Sequence, residues 1–119
     1  MKKTLVLGAS TKSERYSNMA VKALLKHGHE VIAVGRDAGE IDGLDIQRDF
    51  PADQVFDTVT LYLNPTHQKE YYQSVLALKP KRIIFSPGAE NREFEKLAQA
   101  KGIQTEEACT LVLLSTNQY

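Results

Sequence analysis

Apolar positions along the chain alternate between two rhythms. Thr4–Leu7 is a short apolar run that stops at Gly8-Ala9-Ser10. A run of that length bounded by turn chemistry predicts a buried parallel strand. A polar stretch from Thr11 to Asn18 follows. Then Val21, Leu24, Leu25 and Gly28 recur at i, i+3, i+4 and i+7, which predicts a helix with one stripe against a sheet. Ser17 or Asn18 is placed to cap its start and Gly28 its end. Val31–Val34 reads as the second strand, ending at Gly35-Arg36-Asp37. Ala38 to Gln54 alternates little and reads as loop, with a short strand around Leu44–Ile46.

Thr58–Leu63 is rich in β-branched residues and predicts another strand. Asn64-Pro65 is an N-cap followed by a proline at the first helical position. Tyr71, Val75 and Leu78 line one face of the helix expected there, with Tyr72 and Leu76 beside them. Arg82–Phe85 is a strand broken by Ser86-Pro87-Gly88. Glu90–Lys101 reads as a helix with Phe94, Leu97 and Ala98 inward. Ile103–Thr105 is a short strand, and Cys109–Ser115 is read as helix.

Strands alternating with helices require crossover connections. The expected fold is α/β, a Rossmann-like three-layer sandwich with a mostly parallel sheet and helices on both faces. The chain of 119 residues reads as a single domain over residues 1–119. Ligands of such sheets sit beyond the carboxyl ends of the strands, where strand order reverses. The loops Gly8–Asn18, Gly35–Asp37, Asn64-Pro65 and Ser86–Ala89 are therefore expected to converge on one crevice.

Composition narrows the function. Fifteen basic and fifteen acidic residues balance, which argues against a nucleic-acid binder. The single cysteine, Cys109, has no internal disulfide partner. The apolar run after Met1-Lys2-Lys3 is too short for a secretion signal, and no stretch approaches the length of a membrane span. A cytoplasmic location and no membrane partner are expected; the sequence leaves a homodimer open.

The loop chemistry favours phosphate. Glycine and alanine at a strand exit permit close approach to the backbone, and the following helix aims free N–H groups and its positive dipole end at the same turn. Ser10, Thr11 and Ser13 add hydroxyls, while Lys12 and Arg15 add charge. Neither the G-x-G-x-x-G fingerprint nor a P-loop is present. An NAD site wants an acidic residue after the second strand; Arg36 instead favours a phosphate on the adenosine ribose. Asp37, one position further, keeps an NAD-like contact open. No Cys or His pair has metal spacing. His27 and His29 fall on the side away from the crevice, and His67 in the first turn of its helix reads as solvent-facing. Glu106-Glu107 reads as a solvated turn, and Cys109 as a small buried hydrophobe. No catalytic residue is assigned.

Taken in order, Gly8-Ala9-Ser10, Arg15-Tyr16-Ser17-Asn18, Ile41-Asp42-Gly43, Asp49-Phe50-Pro51, Val55-Phe56-Asp57, Pro87–Asn91, Gly102-Ile103 and Cys109 resemble the small stand-alone CoA-binding domain proteins. These are similar to the CoA-binding domain of succinyl-CoA synthetase alpha subunits. Where that family usually has Val-Asn-Pro after the second strand, this chain has Val34-Gly35-Arg36. The resemblance implies a Rossmann-type domain that binds coenzyme A or an acyl-CoA, a small-molecule nucleotide ligand, without catalysis of its own. Gly8, Ala9, Ser10, Lys12, Arg15, Ser17 and Asn18 would then meet the pyrophosphate. Val34, Gly35 and Arg36 would meet the adenosine. Asn64 and Pro65, or Pro87 and Gly88, would meet the pantetheine arm. The alternatives are a small NADP-binding oxidoreductase and a regulatory interaction protein with a vestigial nucleotide crevice.

Overall fold

In the computed structural model, which describes residues 1–119, the elements run β1 (Thr4–Leu7), α1 (Tyr16–Lys26), β2 (Val31–Val34), β3 (Gly39–Ile41) and β4 (Leu44–Gln47). They continue with β5 (Thr58–Leu61), α2 (Pro65–Gln68), a 3-10 turn (Lys69–Tyr71) and α3 (Tyr72–Leu78). β6 (Arg82–Phe85), α4 (Arg92–Ala100), β7 (Gln104–Glu107) and α5 (Thr110–Ser115) complete the chain. The seven strands form one sheet in the order β3-β4-β2-β1-β5-β6-β7. Every pairing is parallel except β3 with β4. The Rossmann-like expectation is met, and strand order reverses between β1 and β5.

The central strands β1, β5 and β6 are buried at every residue, as strands covered on both faces must be. One face packs Leu5, Leu7, Val59, Leu61, Ile83 and Phe85 against Val75 and Leu78 of α3 and Phe94 and Ala98 of α4. The other packs Val6, Val31 and Ala33 against Val21 and Leu24 of α1 and Leu114 of α5. Asn64 and Asn91 cap α2 and α4 through their side-chain oxygens, accepting from the N–H groups of His67 and Phe94.

Several expectations need correction. Within residues 38–54 the strand expected around Leu44–Ile46 is β4, which extends the parallel sheet beside β2, but β3 was not expected: Asp42 (φ 48°) and Gly43 (φ 84°) form the turn of a β3–β4 hairpin. Paired positive φ values at Asp-Gly suit a tight hairpin turn. Neither Ser17 nor Asn18 caps α1. Arg15 is the N-cap, without a side-chain bond, and both expected caps are buried inside the first turn. The strand at 58–63 ends at Leu61 and the last strand starts at Gln104. The single helix expected after Asn64 is broken into α2, the 3-10 turn and α3. Gln68, the last residue of α2, is held by bonds to two other loops that local periodicity does not register. Leu97 is 41% exposed, because α4 lies over the edge strand β7 and no further strand covers its outer flank. Glu106 and Glu107 lie in β7 rather than in a turn; Glu106 pairs with Arg82 at 3.5 Å.

Candidate ligand-binding site

The loops after β1, β2, β5 and β6 all leave the carboxyl edge of the sheet, and direct contacts join them into one rim. A Cβ on Gly35 would collide with the carbonyl oxygen of Ala9. A Cβ on Gly8 (φ 100°) would stand 3.0 Å from the carbonyl carbon and oxygen of Tyr62. These glycines let one loop's backbone press on the next, whereas the sequence suggested room for a ligand. The Gln68 side chain closes the other half of the rim. Its Nε2 donates to Leu63 O and Ala89 O, both at 2.7 Å, and its Oε1 accepts from Asn91 Nδ2 at 3.0 Å. Asn91 Nδ2 also donates to the Tyr72 hydroxyl, which donates in turn to Glu93. Nothing in the motifs singled out Gln68; its one sequence signal is a glutamine at the inward position of a helix that caps the β5 exit.

The β1–α1 loop has the chemistry of an anion cradle. Within the protein the N–H groups of Ser10, Thr11, Ser13 and Glu14 have no hydrogen-bond acceptor. That of Lys12 donates to Ser10 Oγ at 3.1 Å. These free donors precede an eleven-residue helix whose positive end faces them. The Lys12 and Arg15 side chains are exposed on the same loop. Asn18, 3% exposed, sits beneath it: Nδ2 donates to Ser10 O at 2.9 Å, and Oδ1 is buried without a partner. Asn18 therefore shapes the loop from below, and Ser17 is likewise buried.

Arg36 lies exposed two residues beyond β2. Its charge draws the Tyr71 phenol downward, against burial and Glu70, which together hold that phenol above its usual range. Asn64 and Pro65 are exposed at the start of α2. Gly88 N donates to Glu90 Oε1 at 2.9 Å in the loop after β6. Under the β5 and β6 ends lies a group of buried hydroxyls: Thr60 meets Thr110 at 3.0 Å and Ser86 at 3.4 Å. Burial raises the neighbouring Tyr62 phenol, and bonds with Ser86, Thr110 and Thr60 oppose that rise. Half-buried Cys109 precedes α5 beside this group.

The remaining reactive side chains lie elsewhere or have no partner to activate them. His67 is exposed. His29 stands at the opposite end, its Nδ1 accepting from Lys2 N at 2.9 Å and its ring 5.0 Å from that of Tyr119. No group of three or more His, Cys, Asp or Glu is gathered to hold a metal. Hollows of about 630 Å³ against α1 and about 480 Å³ between α4 and β7 lie away from the rim. No helix is long and apolar enough to cross a membrane.

Residues 2–115 match the CoA binding domain family. The chain belongs to that family. An uncharacterised protein of known crystal structure is 48% identical, with a TM-score of 0.97 over 100% of this chain and 98% of its own. A hypothetical protein from Pyrococcus horikoshii OT3 is 28% identical, with a TM-score of 0.85 over 97% of this chain and 82% of its own. A dinucleotide-forming acetyl-coenzyme A synthetase from Ca. Korarchaeum cryptofilum shares the fold at 16% identity and a TM-score of 0.71. The match covers 87% of this chain and 25% of that one. No curated protein matches the chain.

Proposed function

We propose that this domain binds coenzyme A or an acyl-CoA along the carboxyl edge of the sheet and performs no catalysis by itself. The observation that carries this is the β1–α1 loop. Its unpartnered N–H groups, the α1 dipole and the Lys12 and Arg15 charges meet in a chain of the CoA-binding family. The pyrophosphate lies on Gly8–Asn18, with Asn18 shaping the loop from beneath. The adenosine lies by Val34–Arg36, where Arg36 holds the 3′-phosphate through charge-assisted bonds. The pantetheine arm runs past Asn64-Pro65 or Pro87-Gly88, over the rim that Gln68 braces.

Calorimetric titration with CoA, acetyl-CoA, NAD and NADP tests the assignment. CoA is expected to bind more tightly than either dinucleotide, and mass spectrometry of denatured protein identifies any ligand carried through purification. Tighter binding of NADP would favour an oxidoreductase, and binding of none of the four a vestigial crevice. A ligand confined to the folded state raises stability by about 2.7 kcal/mol at a hundredfold excess over Kd, so thermal shifts give a second readout.

A further inference from the structure

Charge is unevenly divided along the carboxyl edge. The sheet order places the exits of β4, β2 and β1 on one side of the reversal and those of β5, β6 and β7 on the other. On the first side the chain just beyond the strands carries Lys12, Arg15, Arg36 and Arg48, interleaved with acids. On the second side the residues beyond the strands are 62–64, 86–91 and 108–109, and none is Lys or Arg. Their one charged residue is Glu90. Its carboxylate is fixed in place, because Oε1 accepts from Gly88 N at 2.9 Å. Glu90 is exposed, and a Cβ on Gly88 would meet nothing within 4 Å, so the space over this loop is open. Of the cations next in sequence, Arg92 lines the hollow between α4 and β7, away from the rim, and Lys69 lies beyond α2.

The loop that holds this carboxylate follows β6, two strands from β1 and so about 10 Å across the sheet from the phosphate loop. An extended pantetheine arm crosses that span and brings the group on its sulfur to the second side. A neutral end meets no electrostatic cost there. An acyl group ending in a carboxylate meets a held like charge and no cation to offset it. We propose that Glu90 is a specificity-determining residue, which admits CoA and its uncharged acyl thioesters and disfavours acyl-CoAs that carry a free carboxylate. This rests on the CoA assignment above and names the ligand class within it.

The test titrates wild type and Glu90→Gln with CoA, butyryl-CoA and succinyl-CoA at low salt and about pH 8, where imidazoles are neutral. Butyryl and succinyl chains are of similar length and differ in the terminal carboxylate. Wild type is expected to bind butyryl-CoA about threefold or more tighter than succinyl-CoA. Glu90→Gln keeps an oxygen that accepts from Gly88 N, so CoA affinity should stay within about twofold while the butyryl-to-succinyl ratio falls toward one. Equal affinities in the wild type, tighter succinyl-CoA, or a ratio that Glu90→Gln leaves unchanged overturns the proposal. A second measurement needs no variant: added salt screens the repulsion, so the wild-type ratio should fall as salt rises. A ratio indifferent to salt overturns the proposal even where Glu90→Gln fails to fold. A wild type that does not bind CoA overturns the CoA assignment itself, an outcome distinct from CoA binding without acyl selectivity.

Discussion

Gln68→Leu removes the brace between the β5 and β6 exits while keeping a side chain of similar size. Gln68 is fully buried, and its amide is the partner within the protein of both Leu63 O and Ala89 O. Leucine leaves the Ala89 carbonyl buried without a donor, while the Leu63 carbonyl, partly buried, recovers water. Asn91 loses one bond but keeps the Tyr72 hydroxyl. Orphaning a buried acceptor costs about 1–3 kcal/mol, so the whole change is expected to cost about 2–4 kcal/mol. Unfolding entropy near 2.1 cal/mol/K per residue over 119 residues is about 0.25 kcal/mol/K, which makes this a Tm loss of about 8–16 °C. Thermal unfolding followed by circular dichroism measures it. Gln68→Glu adds a check on mechanism, because a carboxylate faces two carbonyl oxygens with no proton to offer. Its pKa is raised in the folded state above the unfolded value of about 4.3, so its stability is retained below that pH and lost as pH rises through the folded pKa. Gln68→Glu should therefore sit nearer wild type at about pH 4 than at pH 7. A Gln68→Leu loss below about 4 °C, the shift given by about 1 kcal/mol, would refute the brace.

Arg36→Ala should weaken CoA about tenfold or more and dephospho-CoA much less; equal losses in the paired titrations would remove the 3′-phosphate from Arg36. Gly35→Ala drives a methyl into the Ala9 carbonyl, and urea unfolding is expected to show a loss of about 1–3 kcal/mol. Burial, helped by the N-terminal, His27 and Lys2 charges, lowers the His29 pKa below 6.5. Its contribution to stability is full above that unfolded value and shrinks as pH falls toward the folded pKa, so His29→Gln should flatten that part of the pH profile in urea. Purified protein should show no steady turnover of an acyl-CoA; turnover abolished by Cys109→Ala or His67→Ala would contradict a purely binding role.

Much of the architecture is written locally. Alternating strand and helix patterns identify six of the strands and the parallel sheet, because burial on both faces leaves continuous apolar runs such as Leu5–Leu7 and Ile83–Phe85. Asn64-Pro65 marks a helix start because its capping bond spans three residues. The β3–β4 hairpin was legible too: Ile41-Asp42-Gly43-Leu44 carries the Asp-Gly turn signal, which the weak alternation around it masked.

What the sequence determined by itself was the fold class, which loops leave the carboxyl edge and the small, hydroxyl-bearing and basic composition of Gly8–Asn18. Each depends on residues close together in the chain. Tertiary structure alone decided how those loops touch. Gly8 meets Tyr62, Gly35 meets Ala9, Gln68 ties Leu63 to Ala89, and Phe50 packs on Tyr71. Tertiary structure also took Asn18 from an expected cap to a buried strut under Ser10. The physical reason is one of range. Periodicity and capping report the few residues that one element spans, whereas close backbone approach, buried amide bonds and neighbouring charges join segments brought together only when the sheet closes.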